Sequence, residues 1–303
     1  MTEIKIILTL DLDPDLPFRH PNRWRGLKLG SLKLAVMLKK KFKRHVPISW
    51  FVRIDDETKK EFSGYEGILK KNNKLFYKLK KLGGMFYIHP HLYTYDKKKN
   101  LWLQDLDDKK NIIQLSKIIK ASKKFKLIKN KIIRIGGHFF SKKILEFLIE
   151  KRYIIDSTSL PGRVGNIRKP FNWKKSKQEL HYLKIKNKKG KIIEAPPTMI
   201  KIKANYDKKP YNRYLDLTFK HSLMKKYINS VKLSNYYIMT LSHPTQFVKK
   251  ARHGLLCYGV ENYLKNIDLI IKRIKKMGYK YNFYYIEDLI KYKKYKKLKT
   301  YEK

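Results

Sequence analysis

The feature that most constrains this chain is an alternation that runs almost from end to end. A short apolar, strand-like run is followed by a polar or glycine-marked break, then by a segment with apolar residues at helical spacing, then by the next apolar run. Strand-like runs lie at Ile4–Thr9, Val46–Ile54, Met85–Ile88, Lys131–Ile135, Tyr153–Ile155, within YYIMTLSHP, and at Tyr281–Ile286. Between them, helical spacing covers Ser31–Arg44, a segment through Leu69, Leu75 and Leu79, another through Ile112, Leu115 and Ile119, then Phe140–Lys151, Leu223–Val231 and Val260–Met277. Gly83 and Gly84 supply a helix stop, and Asp107 or Asp108 a helix start. Repeated strand–loop–helix units predict parallel strands with helices outside, as an open doubly wound sheet or a barrel. Between Asn166 and Lys203 the pattern changes to a strand, a KNKKGK turn and a second strand, KIIEAPPTMIKI, which predicts a hairpin beside the main sheet.

In such folds active sites gather at the C-terminal ends of the strands. Asp11, Asp13, His89, His91, Gly136, Asp156 and His243 all fall at or just past those ends. Asp11 and Asp13 stand at i and i+2, so an extended chain points both the same way. Two carboxylates on one face lose water and repel unless a cation or proton is shared between them, although a solvated acidic turn would show the same residues. His89-Pro90-His91 holds two imidazoles on one side of a stiff segment. Asp13 with His89 and His91 makes a carboxylate and two imidazoles, a ligand set for zinc or another divalent ion, and leaves Asp11 for general-base work. No glycine-rich phosphate loop follows the first strand, so a nucleotide cofactor is not expected.

Length and composition set the outer bounds. A chain of 303 residues makes one large α/β domain or two small ones. No apolar run approaches the roughly 20 residues needed to cross a bilayer, and the first stops at Asp11, so a cytoplasmic protein is expected. A single cysteine, Cys257, forbids an internal disulfide. The net charge is +48, yet only 12 of the 73 basic residues are Arg, and Lys accompanies abundant Ile, Tyr and Asn, whose codons are also A/T-rich. Dispersed lysines of that origin fit a solvated surface better than a nucleic-acid groove, so no nucleic-acid partner is expected. The C-terminal KYKKYKKLKTYEK is the segment suited to peripheral contact with an anionic membrane surface. Nothing in the pattern specifies an oligomeric state.

Five stretches, in order, resemble the polysaccharide deacetylases of the NodB-homology group, carbohydrate esterase family four. LTLDLDPD is similar to that family's T-F-D-D-G strand end with one residue inserted; GGMFYIHPHLY resembles its metal-binding histidine segment; IIRIGGHFF its arginine motif; YIIDSTSLPG the strand end that follows; and LSH its late Leu-x-His. The resemblance implies a distorted (β/α) barrel of the glycoside hydrolase/deacetylase type over residues 1–290, with the hairpin as an insertion and 291–303 as a basic tail. It implies Asp11 as catalytic base, Asp13, His89 and His91 as ligands of a divalent metal such as zinc, Arg134 as the group that orients the base, His243 as general acid, and Asp156 and Tyr93 as substrate contacts. The inserted residue leaves Asp11 and Asp13 interchangeable, and Tyr93 stands where the common spacing has its second histidine. The implied activity is removal of an N-acetyl group from an amino sugar of a glycan or glycan precursor, in surface polysaccharide synthesis. The alternative is a barrel without catalysis that holds an anionic glycan or nucleic acid on its basic surface. Trp50, Trp102 and Trp173 are expected to pack, with stacking on a sugar as the other role open to them.

Overall fold

The computed structural model describes every residue except 1–2, 16–19, 21, 167–168, 232–235, 249–251, 258, 292–297 and 303. Ten strands form one mostly parallel sheet: β1 (Glu3–Leu12), β2 (Ile48–Arg53), β3 (Gly84–His89), β4 (Ile128–Ile133), β5 (Ile155–Asp156), β6 (His181–Lys184), β7 (Ile192–Glu194), β8 (Tyr237–Ser242), β9 (Lys280–Phe283) and β10 (Thr300–Glu302). The order is β8-β1-β2-β3-β4-β5-β7-β6-β10, with β9 also paired to β1. The helices are α1 (Ser31–Phe42), α2 (Asp56–Phe62), α3 (Gly67–Lys71), α4 (Asn73–Lys81), α5 (Asp108–Ser122), α6 (Lys142–Glu150), α7 (His221–Tyr227) and α8 (Val260–Lys276). Strands buried on both faces read as continuous apolar runs, which is why β2 and β8 stand out in the sequence and are buried along their whole length.

The chain divides into two compact units. The first comprises Met1–Trp50, Tyr77–Met85 and Pro197–Ile286. In it β1 runs parallel to β8 and to β9, with Leu10 beside Ser242. Helix α8 buries Val260, Tyr263, Ile267, Ile270, Ile271 and Ile274, the i, i+3, i+4, i+7 stripe of a helix laid on a sheet. Met199–Ile202 and Tyr211–Tyr214 pair as an antiparallel hairpin in the same unit.

The second unit comprises Phe51–Phe76, Phe86–Pro196 and Glu287–Lys303. Strands β3, β4, β5 and β7 run parallel in register, with Ile88 beside Ile133, Ile133 beside Asp156, and Asp156 beside Glu194. Local capping sets the helix starts: Asp107 accepts from the Lys109 amide at 2.9 Å to open α5, and Ser141 accepts from the Ile144 amide at 3.1 Å to open α6. A hairpin of Tyr93–Asp96 and Leu101–Gln104, which the apolar pattern did not predict, follows β3.

The hairpin expected between Asn166 and Lys203 forms as β6 and β7, antiparallel across the KNKKGK turn, but β7 also runs parallel to β5 and so extends the main sheet. The second half, KIIEAPPTMIKI, is two strands, because Pro196 and Pro197 lack the N–H that a ladder needs and break the run between β7 and Met199–Ile202. Within the expected C-terminal tail, β10 pairs with β6, whereas 292–297 lie outside the described residues. Pro17, Pro21 and the side chain of Cys257 also lie outside them. Among the described residues no helix is long and apolar enough to cross a membrane.

Candidate functional site

In the first unit the parallel register of β1 and β8 brings Asp11 and His243 to the same end of the sheet, because both follow the Leu10–Ser242 pair. Asp11 is buried and Asp13 half-buried. His243 Nε2 lies 3.6 Å from Asp13 Oδ2. Burial works against the imidazolium, but the hydrogen bond and charge of Asp13, with the charges of Asp11 and Asp216, outweigh it and hold His243 above its ordinary pKa. Behind His243, the Gln246 side chain accepts from the His243 amide at 2.8 Å and donates to Asp216 Oδ2 at 2.8 Å. Asp216 Oδ1 accepts from the Thr218 amide (2.9 Å), the Thr218 hydroxyl (2.8 Å) and Ser242 (2.7 Å). Four donors on one buried carboxylate make a rigid bracket for the strand end that carries His243. The turn Gly26–Gly30 lies against this segment: a Cβ on Gly30 would stand 2.1 Å from the Pro244 carbonyl oxygen, so only glycine permits the approach.

In the second unit the register of β3, β4, β5 and β7 places His89 and Arg134 one residue past the Ile88–Ile133 pair and Asp156 and Glu194 level with Ile133, so that all four, buried, lie at one end of the parallel strands. His89 Nδ1 lies 2.8 Å from the Arg134 carbonyl oxygen. A carbonyl only accepts, so Nδ1 carries the proton and Nε2 presents its lone pair. That lone pair faces His91 Nε2 at 3.1 Å, with the two rings perpendicular. His91 is backed by Gly136, whose amide donates to the Pro90 carbonyl at 2.8 Å; a Cβ there would fall 1.9 Å from His91 Cδ2. Arg134 itself is fully buried, donates to the Ser157 carbonyl (3.1 Å) and hydroxyl (3.0 Å), and lies 4.0 Å over the Phe51 ring. Asp156 accepts from both the amide and the hydroxyl of Thr158. Burial pushes its carboxyl up to about 6, against the pull of Thr158 and the Arg134 charge. Tyr93 meets the His91 ring edge-on at 4.9 Å.

Asp13, His89 and His91 are, among the described residues, the group that could hold a metal ion: each offers one ligand atom, and these atoms lie within 4.8 Å of one another. Of the tryptophans, Trp50 and Trp173 are fully buried packing residues, the latter donating to the His138 carbonyl at 2.9 Å, while Trp102 is half-buried. Sequence reasoning missed Asp216 and Glu194. For Asp216 a signal existed: Asp216-Leu-Thr218 repeats the Asp156-Ser-Thr158 arrangement, in which the carboxylate accepts from the amide and hydroxyl of a threonine two residues on.

No family model matches the sequence, and no curated protein matches it. Among solved structures, a Mycobacterium smegmatis protein provisionally described as a polysaccharide deacetylase is similar over 98% of this chain and 92% of its own, with 12% identity and a TM-score of 0.60. An α-mannosidase from Enterococcus faecalis is similar over 99% of this chain but 30% of its own, at 10% identity and a TM-score of 0.51. The Xyl-CE4 domain of a multidomain xylanase from the hindgut metagenome of Trinervitermes trinervoides aligns over 95% of this chain and 90% of its own, at 11% identity and a TM-score of 0.41. At these identities the likeness establishes the fold: a mixed α/β chain around a large, mostly parallel sheet, of the type in the first of these structures, as the sequence motifs led one to expect.

Proposed function

We propose that the chain is a metal-dependent hydrolase that removes an N-acyl group from an amino sugar in a glycan or glycan precursor. The observation that carries this reading is the Asp13, His89 and His91 group. Its donor chemistry fits a zinc-like ion: the lone pair of His89 Nε2 is aimed by the Arg134 carbonyl, and the Nε2 atoms 3.1 Å apart approach the roughly 3.3 Å that two imidazoles span on a tetrahedral ion with bonds of about 2.05 Å. An ion held there supplies Lewis acidity toward an acyl carbonyl and acidifies a water.

The remaining work falls to the chain's own groups. Asp11, buried at the end of β1, takes the proton of the attacking water as general base. His243, whose pKa the hydrogen bond and charge of Asp13 and the charges of Asp11 and Asp216 raise against the effect of burial, is the general acid that gives a proton at Nε2 to the nitrogen of the leaving amine. Arg134 fixes His89 through its carbonyl, Asp156 lies beside Ile133 on the neighbouring strand, and Tyr93 packs edge-on against the His91 ring. The C–N bond breaks, acetate leaves with the hydroxyl of water, and the amine takes the proton from His243.

The test is metal content by elemental mass spectrometry beside acetate release from N-acetylated oligosaccharides, for the parent, Asp13→Ala and His89→Ala. Stoichiometric metal and acetate release in the parent, both lost in the variants, is the expected result. A parent that retains no metal after reconstitution and releases no acetate refutes the reading and favours a binding protein instead.

A further inference from the structure

Tyr93 and Tyr95 share one face of the strand Tyr93–Asp96, since side chains two apart on a strand point the same way. Their cross-strand partners on Leu101–Gln104 are Gln104 and Trp102. At one end of this face Tyr93 touches His91; at the other the Tyr95 and Trp102 rings lie 5.2 Å apart, tilted by 51°. Cations line the same face: the Arg53 guanidinium lies 5.9 Å from the Tyr93 ring and the Lys60 ammonium 4.0 Å from the Tyr95 ring, both within cation–π range. Helix α2 packs on this strand, and between them opens a cleft of about 420 Å³ lined by Asp56, Lys59, Lys60, Ser63, Gly64 and Trp102.

The chemistry of the cleft selects its ligand. A half-buried indole beside a second ring offers an apolar platform for the C–H face of a pyranose. Asp56 and Ser63 offer an acceptor and a hydroxyl to sugar hydroxyl groups, and the exposed Lys59 and Lys60 favour a negative substituent. A neutral sugar makes no use of two ammonium groups. A polyphosphate or nucleic-acid backbone would bring its continuous charge against Asp56. A carboxylate on a sugar ring, with hydroxyls beside it, uses all of these groups.

We propose that this cleft binds an acidic oligosaccharide, a chain in which a carboxylate-bearing pyranose stacks on Trp102 between Lys59 and Lys60. The Tyr93–Tyr95 face leads from it toward His91, so the neighbouring N-acylated residue reaches the metal-ligand group; that last step rests on the deacetylase reading, whereas binding in the cleft does not. The class of substrate is then a glycan alternating an N-acetylated amino sugar with a uronic acid.

The experiment titrates metal-free protein with a heparosan tetrasaccharide, which alternates N-acetylglucosamine and glucuronate, and with neutral chitotetraose, at physiological salt, following tryptophan fluorescence and calorimetry. The acidic sugar is expected to bind tighter by about three- to tenfold, the scale of one or two exposed ion pairs, since ring stacking is common to both sugars. Trp102→Ala, which leaves the net charge unchanged, and Lys60→Ala are each expected to lose about that factor, while Trp102→Phe keeps most of the binding and shows that the hairpin still folds. Equal affinity for the two sugars, unaltered binding by Trp102→Ala, or equally strong competition by inorganic polyphosphate would overturn the proposal. His89→Ala separates the two readings. Binding retained in that variant without acetate release from any metal-loaded parent refutes only the deacetylase, and acetate release with no preference for the acidic sugar refutes only the cleft.

Discussion

Gly136→Ala tests the geometry of the histidine pair without touching a proposed ligand. The added Cβ would stand 1.9 Å from His91 Cδ2 and 2.2 Å from Nε2, so the ring must retreat by roughly 1.5 Å to reach ordinary van der Waals contact. It has little room: His91 is buried, its ring is 4.8 Å from that of His89 and 4.9 Å from that of Tyr93, and the Gly136 amide is tied to the carbonyl of Pro90, the residue just before His91. Overpacking of this kind costs about 1–3 kcal/mol. Displacing the ring also separates the two Nε2 atoms from their 3.1 Å spacing, and a disturbance of ligand orientation costs about 10- to 100-fold in metal affinity. The assay is zinc affinity by chelator competition, with a urea melt of the metal-free protein run in parallel. Lower stability together with weaker zinc binding is expected, and Tyr93→Ala in the same chain should recover part of the affinity by giving the ring space to swing. A Gly136→Ala protein that binds zinc as tightly as the parent would refute the claim that His91 is held in place by the absence of a Cβ.

Three further outcomes follow from the same geometry. In metal-free protein His243 titrates above its ordinary pKa, so its contribution to stability is full below about pH 6.5 and is lost as the pH rises through its folded-state pKa; Asp13→Asn lowers that pKa, which an NMR titration of the imidazole reads directly, and an unmoved pKa would sink the assignment. Asp156, pushed up to about 6 by burial, stabilises the fold in its protonated form, so stability falls as the pH rises from about 4 to 6, by at most about 3 kcal/mol, and Asp156→Asn flattens that part of a urea–pH series. Arg53 bridges Asp55 and Glu57, all three buried; Arg53→Met removes the cation shared by two buried carboxylates and should cost about 3–5 kcal/mol by urea melt near neutral pH. No change in that melt would mean that solvent already screens the triad.

Strand ends were the most legible feature, for a simple reason. An apolar run long enough to be buried must stop where polar residues begin, so Asp11, His89, Gly136, Asp156 and His243 announce themselves by their place after such runs, whereas Arg134, inside its run, stands out only by resemblance to the family's arginine motif. Helix faces were legible for the same reason, since the α8 stripe is a one-dimensional projection of the surface it covers. The hairpin Tyr93–Asp96 with Leu101–Gln104 left no such trace, because its strands are four residues each and half-exposed. The break at Pro196-Pro197 was visible as chemistry, yet which strands its two sides would join was not.

The sequence by itself determined which residue types stand at the strand ends and that most of the strands run parallel, since both follow from local patterning and from the helices that connect successive strands. Tertiary structure decided the rest: that Asp216 brackets the strand bearing His243, that the Arg134 carbonyl selects the tautomer of His89, and that Gly136 leaves room for His91. These depend on register between strands distant in the chain, where a shift of a single residue would turn each side chain to the opposite face.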